Sequence, residues 1–129
     1  MERTRISTGT EWESRVGYSR AVRVGPHVHV SGTTATDDDG ELVGVGDAAV
    51  QAEQALANVE SALQRAGAAL EDVIRTRVYV TDIDRWEAVG DVHGETFGEI
   101  RPAQTLVEVS GLVDDRMLVE IEAEAFVDG

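Results

Sequence analysis

The chain has no cysteine and no lysine, and only two prolines. Without cysteine there is no disulfide framework, thiolate zinc site or cysteine nucleophile. No apolar stretch approaches the length of a membrane span. Met1-Glu2-Arg3-Thr4-Arg5 leads into no apolar run, so the sequence predicts no secretory signal, no membrane contact and a cytoplasmic protein. All eleven basic residues are arginine, against 25 acidic ones, for a net charge of -14. Such a surface repels phosphate backbones, which argues against a nucleic-acid partner. The acid excess fits a protein of a high-salt cytoplasm, where carboxylates keep a hydrated surface soluble. It also fits an acidic protein from a GC-rich genome.

What remains reads as one domain spanning residues 1–129, long enough to bury an ordinary core. No repeat or linker interrupts it, and Asp37-Asp38-Asp39-Gly40 is a short acidic turn. Tyr18 to Val24 reads as a strand and Gly25-Pro26 as a turn. His27-Val28-His29-Val30-Ser31-Gly32 follows as an alternating strand, completing a hairpin. From Asp47 to Ala66, Ala48, Ala52, Ala55, Leu56, Val59, Ala62, Leu63 and Ala66 recur at helical spacing. Asp47 is placed to cap the start of this helix and Gly67 its end.

Val73 to Thr81 is predicted as a strand, with Ile74, Thr76, Val78 and Val80 on one face and Arg75, Arg77 and Tyr79 on the other. A second helix is expected from Arg85 to Gly98, with Asp84 and Glu87 as a capping box and Trp86 and Phe97 in the core. On this helix Gly90, Gly94 and Gly98 lie four apart, a spacing that brings a ligand or another backbone close or else marks a weak helix. Arg101-Pro102 breaks the chain before strands Gln104 to Ser110 and Met117 to Val127. The last strand puts Glu120, Glu122 and Glu124 opposite an apolar face. The predicted architecture is α+β, in the order β-β-α-β-α-β-β, with the helices on one face of one sheet. The other face, carrying arginines, a tyrosine and glutamates, is too mixed for a core and is expected to be covered by copies of the chain.

Four segments resemble the RidA/YjgF family. They are Gly17-Tyr18-Ser19-Arg20, Val30-Ser31-Gly32-Thr33, Arg77-Val78-Tyr79-Val80-Thr81-Asp82, and a block running from Arg101-Pro102-Ala103-Gln104-Thr105-Leu106-Val107-Glu108-Val109 through Leu112 to Val119-Glu120-Ile121-Glu122-Ala123. The resemblance implies a chorismate-mutase-like fold and a homotrimer that binds a small molecule in clefts between subunits. It also implies hydrolysis of enamines and imines of 2-oxo acids, with no metal and no cofactor. In that chemistry a guanidinium clamps the substrate carboxylate while a carboxylate and backbone groups hold the attacking water.

Carried onto this chain, the resemblance assigns Tyr18 to the cleft, Ser31-Gly32 to the strand end where ligand meets backbone, Leu106 to a backbone contact and Glu120 to the water. Arg101 and Thr105 flank the clamp position. The clamping arginine itself is replaced by Gln104, and the helix asparagine by Gly90. His93 stands at an aromatic position and is the one histidine placed for acid or base work. Arg20, two residues from Tyr18, is a candidate substitute clamp. The chain thus resembles a subgroup lacking the deaminase arginine. Three readings follow: a deaminase of weak or altered preference, a protein that binds or senses a metabolite without turnover, and a ribonuclease or translation inhibitor. The acidic surface disfavours the last.

Overall fold

The computed structural model describes residues 1–128. The elements are β1 (Arg3–Ile6), α1 (Glu11–Val16), β2 (Ala21–Val24), β3 (His27–Thr33), α2 (Ala48–Arg65), β4 (Val73–Val80), α3 (Trp86–Phe97), β5 (Ala103–Glu108) and β6 (Val119–Phe126). The strands form one sheet in the order β1-β2-β3-β6-β4-β5. All neighbours are antiparallel except β4 and β5, which run parallel around the α3 crossover. The α+β class and the expected sequence of elements hold, extended by β1 and α1 at the N-terminus.

Helix α2 forms as its pattern predicts. The Asp47 carboxylate accepts the Val50 N–H at 3.1 Å, and Gly67, with φ of 80°, turns the chain out just past the end. Ala52, Ala55, Val59 and Leu63 are fully or almost fully buried against the sheet. Arg23 on β2 closes that end by donating to the Ala66 carbonyl at 2.8 Å and to Gly25 O at 2.9 Å. The α3 side of the core is Val89, Val92 and Phe97, and β6 contributes Val119, Ile121, Ala123 and Ala125.

Several expectations are corrected. The strand read from Tyr18 begins at Ala21, because Gly17 ends α1 in a left-handed conformation, with φ of 91°, and Tyr18 N–H is drawn back to the Glu13 carbonyl. Ile74 does not share the inner face. A bulge between Val73 and Arg75 turns Val73 inward and leaves Ile74 53% exposed. Asp84 and Glu87 do not cap α3. Asp82 instead accepts the Asp84 N–H in a 3-10 turn, Ile83–Arg85, that leads into the helix. Trp86, expected in the core, is 52% exposed at the first position of α3. Strand β5 starts at Ala103 and ends at Glu108, and β6 spans Val119–Phe126 rather than Met117 to Val127.

One buried polar residue ties the fold together. Gln51 is fully buried on α2; its amide donates to Gly44 O at 3.1 Å and Arg116 O at 2.9 Å, while its oxygen accepts Leu118 N–H at 2.8 Å. The helix thereby holds the entry to β6. Replacing Gln51 with leucine strands three backbone groups, each costing about 1–3 kcal/mol when buried unpaired. Denaturant unfolding should show a loss of about 3 kcal/mol or more, and a loss under about 1 kcal/mol would contradict this role.

Candidate functional site

The register of β4 decides which residues can meet. Thr76 and Val78 point to the helix-covered face, and β5 places Gln104 opposite Thr76 and Leu106 opposite Val78. Gln104 and Leu106 therefore face α3. Thr105 pairs with Arg77, so it points to the open face, where its hydroxyl accepts from Arg75 at 2.8 Å. Tyr79 faces the open side too, and β6 sets Glu120 opposite it. The candidate residues thus fall into two groups on opposite faces of one sheet.

The first group lines a cavity of about 650 Å³ between α3 and β5. Gly90, His93, Gly94 and Phe97 lie on one side of α3; Gln104 and Leu106 form the facing wall. Trp86 and Ile83 stand at one end, Arg101 and Pro102 at the other. A Cβ at Gly90 or Gly94 would meet no atom within 4 Å, so the chain itself does not require glycine at either position. The cavity is open where those side chains would be. His93 ties α3 to the sheet: its Nε2 lies 2.8 Å from the hydroxyl of fully buried Thr76, and its ring stacks at 4.7 Å on Phe97. Burial pushes the imidazole below its ordinary value of 6.5, so it is mostly neutral at neutral pH. Arg101 has a left-handed backbone, with φ of 54°, and its Nε donates to Gly98 O at 3.2 Å at the exposed mouth.

The second group surrounds Gly32. The Glu120 carboxylate lies over it so closely that an added Cβ would stand 2.8 Å from the carboxyl carbon. Burial and the neighbouring Glu122 push the Glu120 carboxyl up, and the charge of Arg20 offsets this only in part. Arg20 donates to the Gly32 carbonyl, and its Nε is buried with no hydrogen-bond partner among the described residues. Its guanidinium also sits 5.9 Å from the centre of the Tyr18 ring. Ser31 donates its hydroxyl to Ser19 O at 2.6 Å, pinning the strand end.

Tyr18, Arg20, Ser31, Gly32 and Glu120 are thus brought together, as are Gly90, His93, Arg101, Gln104 and Leu106. Thr105 is the candidate that joins neither group. Within one chain Arg20 does not reach the cavity, which lies on the other face; it holds the Gly32 carbonyl beside Glu120. The other two glutamates are spent: Glu124 pairs with Arg77 at 2.8 Å, and Glu122 accepts from the Tyr79 hydroxyl. His27 packs edge-on against Phe126 at 5.3 Å. No group of three or more His, Asp or Glu side chains is placed to hold a metal among the described residues.

Sequence reasoning missed Thr76 as the tether of His93, and Trp86 and Ile83 as cavity walls. It also missed the N-terminal elements. Thr10-Glu11-Trp12-Glu13 has the spacing of a helix-start box, and Glu13 does bind back, accepting from the hydroxyls of Thr8 and Thr10.

Comparison with known proteins bears on this arrangement. Residues 8–127 match the family described as Endoribonuclease L-PSP. An uncharacterized Streptomyces coelicolor protein is 41% identical over 95% of this chain and 90% of its own length. The 3-aminoacrylate deaminase RutC of Acinetobacter baylyi is 36% identical over 85% of this chain and 86% of its own. A crystal structure from Mycobacterium tuberculosis, described as a member of the YjgF/YER057c/UK114 family, is 54% identical. It covers 98% of this chain and 100% of that one, with a TM-score of 0.89.

Proposed function

The chain belongs to the RidA/YjgF family, described as Endoribonuclease L-PSP, and from that premise we propose that it is a homotrimer binding small imine, enamine or related 2-oxo-acid-derived metabolites between subunits. Its deaminase activity is weak or altered. One observation supports this reading: Glu120 and the cavity between α3 and β5 lie on opposite faces of the same sheet. A second copy of the chain supplies the missing half by setting its Gly32–Glu120 corner against the first copy's α3–β5 cavity. Val107 and Phe126, 41% and 42% exposed on the open face, give such a partner apolar surface to cover.

In this cleft the substrate's carbon body lies on the apolar wall of Leu106, Phe97 and Trp86. Glu120 of the neighbouring copy holds a water for attack on the C=N carbon. The carboxyl is pushed up by burial and so gives and takes protons closer to neutral pH than an ordinary glutamate. Attack gives a carbinolamine, which expels ammonia and leaves the carbonyl product. Binding without turnover is the second reading, and uncharged Gln104 at the clamp position favours it. With a net charge of -14, an RNA substrate is disfavoured despite the family description.

The test is ammonia release from an imine made in situ by an amino-acid oxidase, alongside light scattering for the assembly. Slow release from a particle of about three chain masses is expected. A stable monomer would remove the two-copy cleft.

The charge supports a further property, adaptation to a salty cytoplasm. Screening relieves like-charge repulsion in the folded state. Each kcal/mol relieved should raise the Tm by roughly 3–5 °C in a domain of this size. Melting in KCl up to molar concentrations should therefore climb. A flat or falling curve would count against the adaptation.

A further inference from the structure

The cavity's polar groups suit one kind of ligand end and not another. His93 and Gln104 come from different elements but are set on the same residue. Thr76 holds the His93 ring through its hydroxyl at 2.8 Å and stands opposite Gln104 in the β4–β5 register. The two side chains therefore approach from facing walls at Thr76, among Phe97, Leu106 and Trp86. The tether engages one ring nitrogen and leaves the other for a ligand. A glutamine amide offers both a donor and an acceptor, and the imidazole nitrogen that Thr76 does not engage offers one or the other, according to the tautomer. Both can donate to a carboxylate, but neither carries the positive charge that a carboxylate needs when water is excluded.

Within the chain the charged groups on the surrounding elements do not supply that balance, and Arg20 of the opposing corner has its charge set against Glu120 and donates to the Gly32 carbonyl. Arg101 is exposed, as Gln104 is in the single chain, but its Nε donates to Gly98 O, which holds the guanidinium at the C-terminal end of α3. Glu108, which shares its β5 face with Gln104 and Leu106, is an anion already accepting the Ile83 N–H at 2.9 Å. Thr76 and Val78 of β4 are uncharged.

We propose that His93 and Gln104, both set on Thr76, are the specificity-determining pair of this cavity and select an uncharged hydrogen-bonding end group, a carboxamide or ester, over a carboxylate. The substrate class is then an imine or carbonyl compound whose acid end is masked. This rests on the cavity being the ligand site of the proposed cleft, and it adds which ligands that site accepts. His93 also gives the selection a pH dependence. Burial holds the ring neutral at neutral pH, and protonation on acidification supplies the positive charge that a carboxylate lacks there.

The experiment is calorimetric titration of the full-length protein with pyruvamide and with pyruvate, which differ only in the end group. At a pH of about 7.5 pyruvamide should bind about tenfold or more tightly than pyruvate, and the preference should narrow at a pH of about 5. His93→Gln keeps hydrogen bonding without a titrating ring, so it should keep the amide preference and lose its pH dependence. Thr76→Val should flatten the preference by freeing the ring. If His93→Gln still narrows with acid, the titrating group is Glu120 of the opposing corner and the assignment to His93 is wrong. Equal binding of the two probes at the higher pH overturns the inference while leaving the cavity as a ligand site. Binding of neither probe removes the cavity reading, and the inference falls with it.

Discussion

Gln104→Arg should raise ammonia release from a small 2-oxo-acid imine by about 10–100-fold. Gln104 points into the cavity, set by its register with Thr76. A guanidinium there would meet the substrate carboxylate against a largely apolar wall. Two charged hydrogen bonds, each about twice as strong as a neutral one, add about 1.4–2.7 kcal/mol together, which is the stated range in rate. The gain should appear chiefly for substrates with a free carboxylate, and pyruvate should then bind better than pyruvamide. Arg20→Ala separates two accounts of the wild type. Were Arg20 the clamp, its loss would abolish carboxylate binding and Gln104→Arg would restore it. The geometry instead has Arg20 holding the Gly32 carbonyl beside Glu120 on the other face. Arg20→Ala should therefore lower turnover in wild type and in Gln104→Arg by a similar factor. A folded, trimeric Gln104→Arg with no gain would overturn the claim that charge at this position limits the reaction.

Gly32→Ala should cost about 100-fold or more in the activity of the Gln104→Arg background, with little loss of stability. The added methyl would stand 2.8 Å from the Glu120 carboxyl carbon and 3.0 and 3.1 Å from its oxygens. The glutamate must swing away, which a flexible side chain does cheaply, but a water held by it in the proposed cleft would be displaced. Glu120→Gln should lose as much activity by a different route, and the double variant should be little worse than either single one, since both remove one function. Stability should move the other way. The Glu120 carboxyl is held above its ordinary range in the fold, so the stability it contributes is full below the unfolded value. That contribution is lost as pH rises through the folded value. Glu120→Gln removes the loss, so its Tm should exceed wild type at neutral pH and converge with it in acid. Equal Tm values across that range would contradict the burial argument.

Much of this arrangement was legible in the sequence because burial leaves a periodic trace. The alternation of Val119, Ile121, Ala123 and Ala125, and the three-and-four spacing from Ala48 to Leu63, are what two packed layers demand. Other features leave no such trace. The bulge at Val73 inverts the strand's first inward residue, and alternation alone cannot locate an inserted residue. Trp86 falls on the apolar side of its helix by spacing, yet it opens the helix and overhangs the cavity instead of packing beneath it. Gln51 occupies an apolar-stripe position, three residues after Ala48, and that is the signal that it is buried with its own partners.

The candidate site was legible as a set of residues but not as an arrangement. Resemblance assigned Glu120, Gly32, Gln104 and Leu106 to one cleft, and only strand register reveals that they face opposite ways. The same register removes Thr105 from the cavity, although it lies between two residues that line it.

The central claim is that the cavity and Glu120 meet only across two copies of the chain, and the absence of cysteine makes it directly testable. Gly90→Cys and Glu120→Cys can be placed together in one chain and treated with a short bismaleimide, each single variant serving as a control. The double variant should run on a denaturing gel as covalent species of about two and three chain masses, with the linked peptides coming from different copies. A linker that joins the two cysteines within one chain, leaving the band at monomer mass, would contradict the claim.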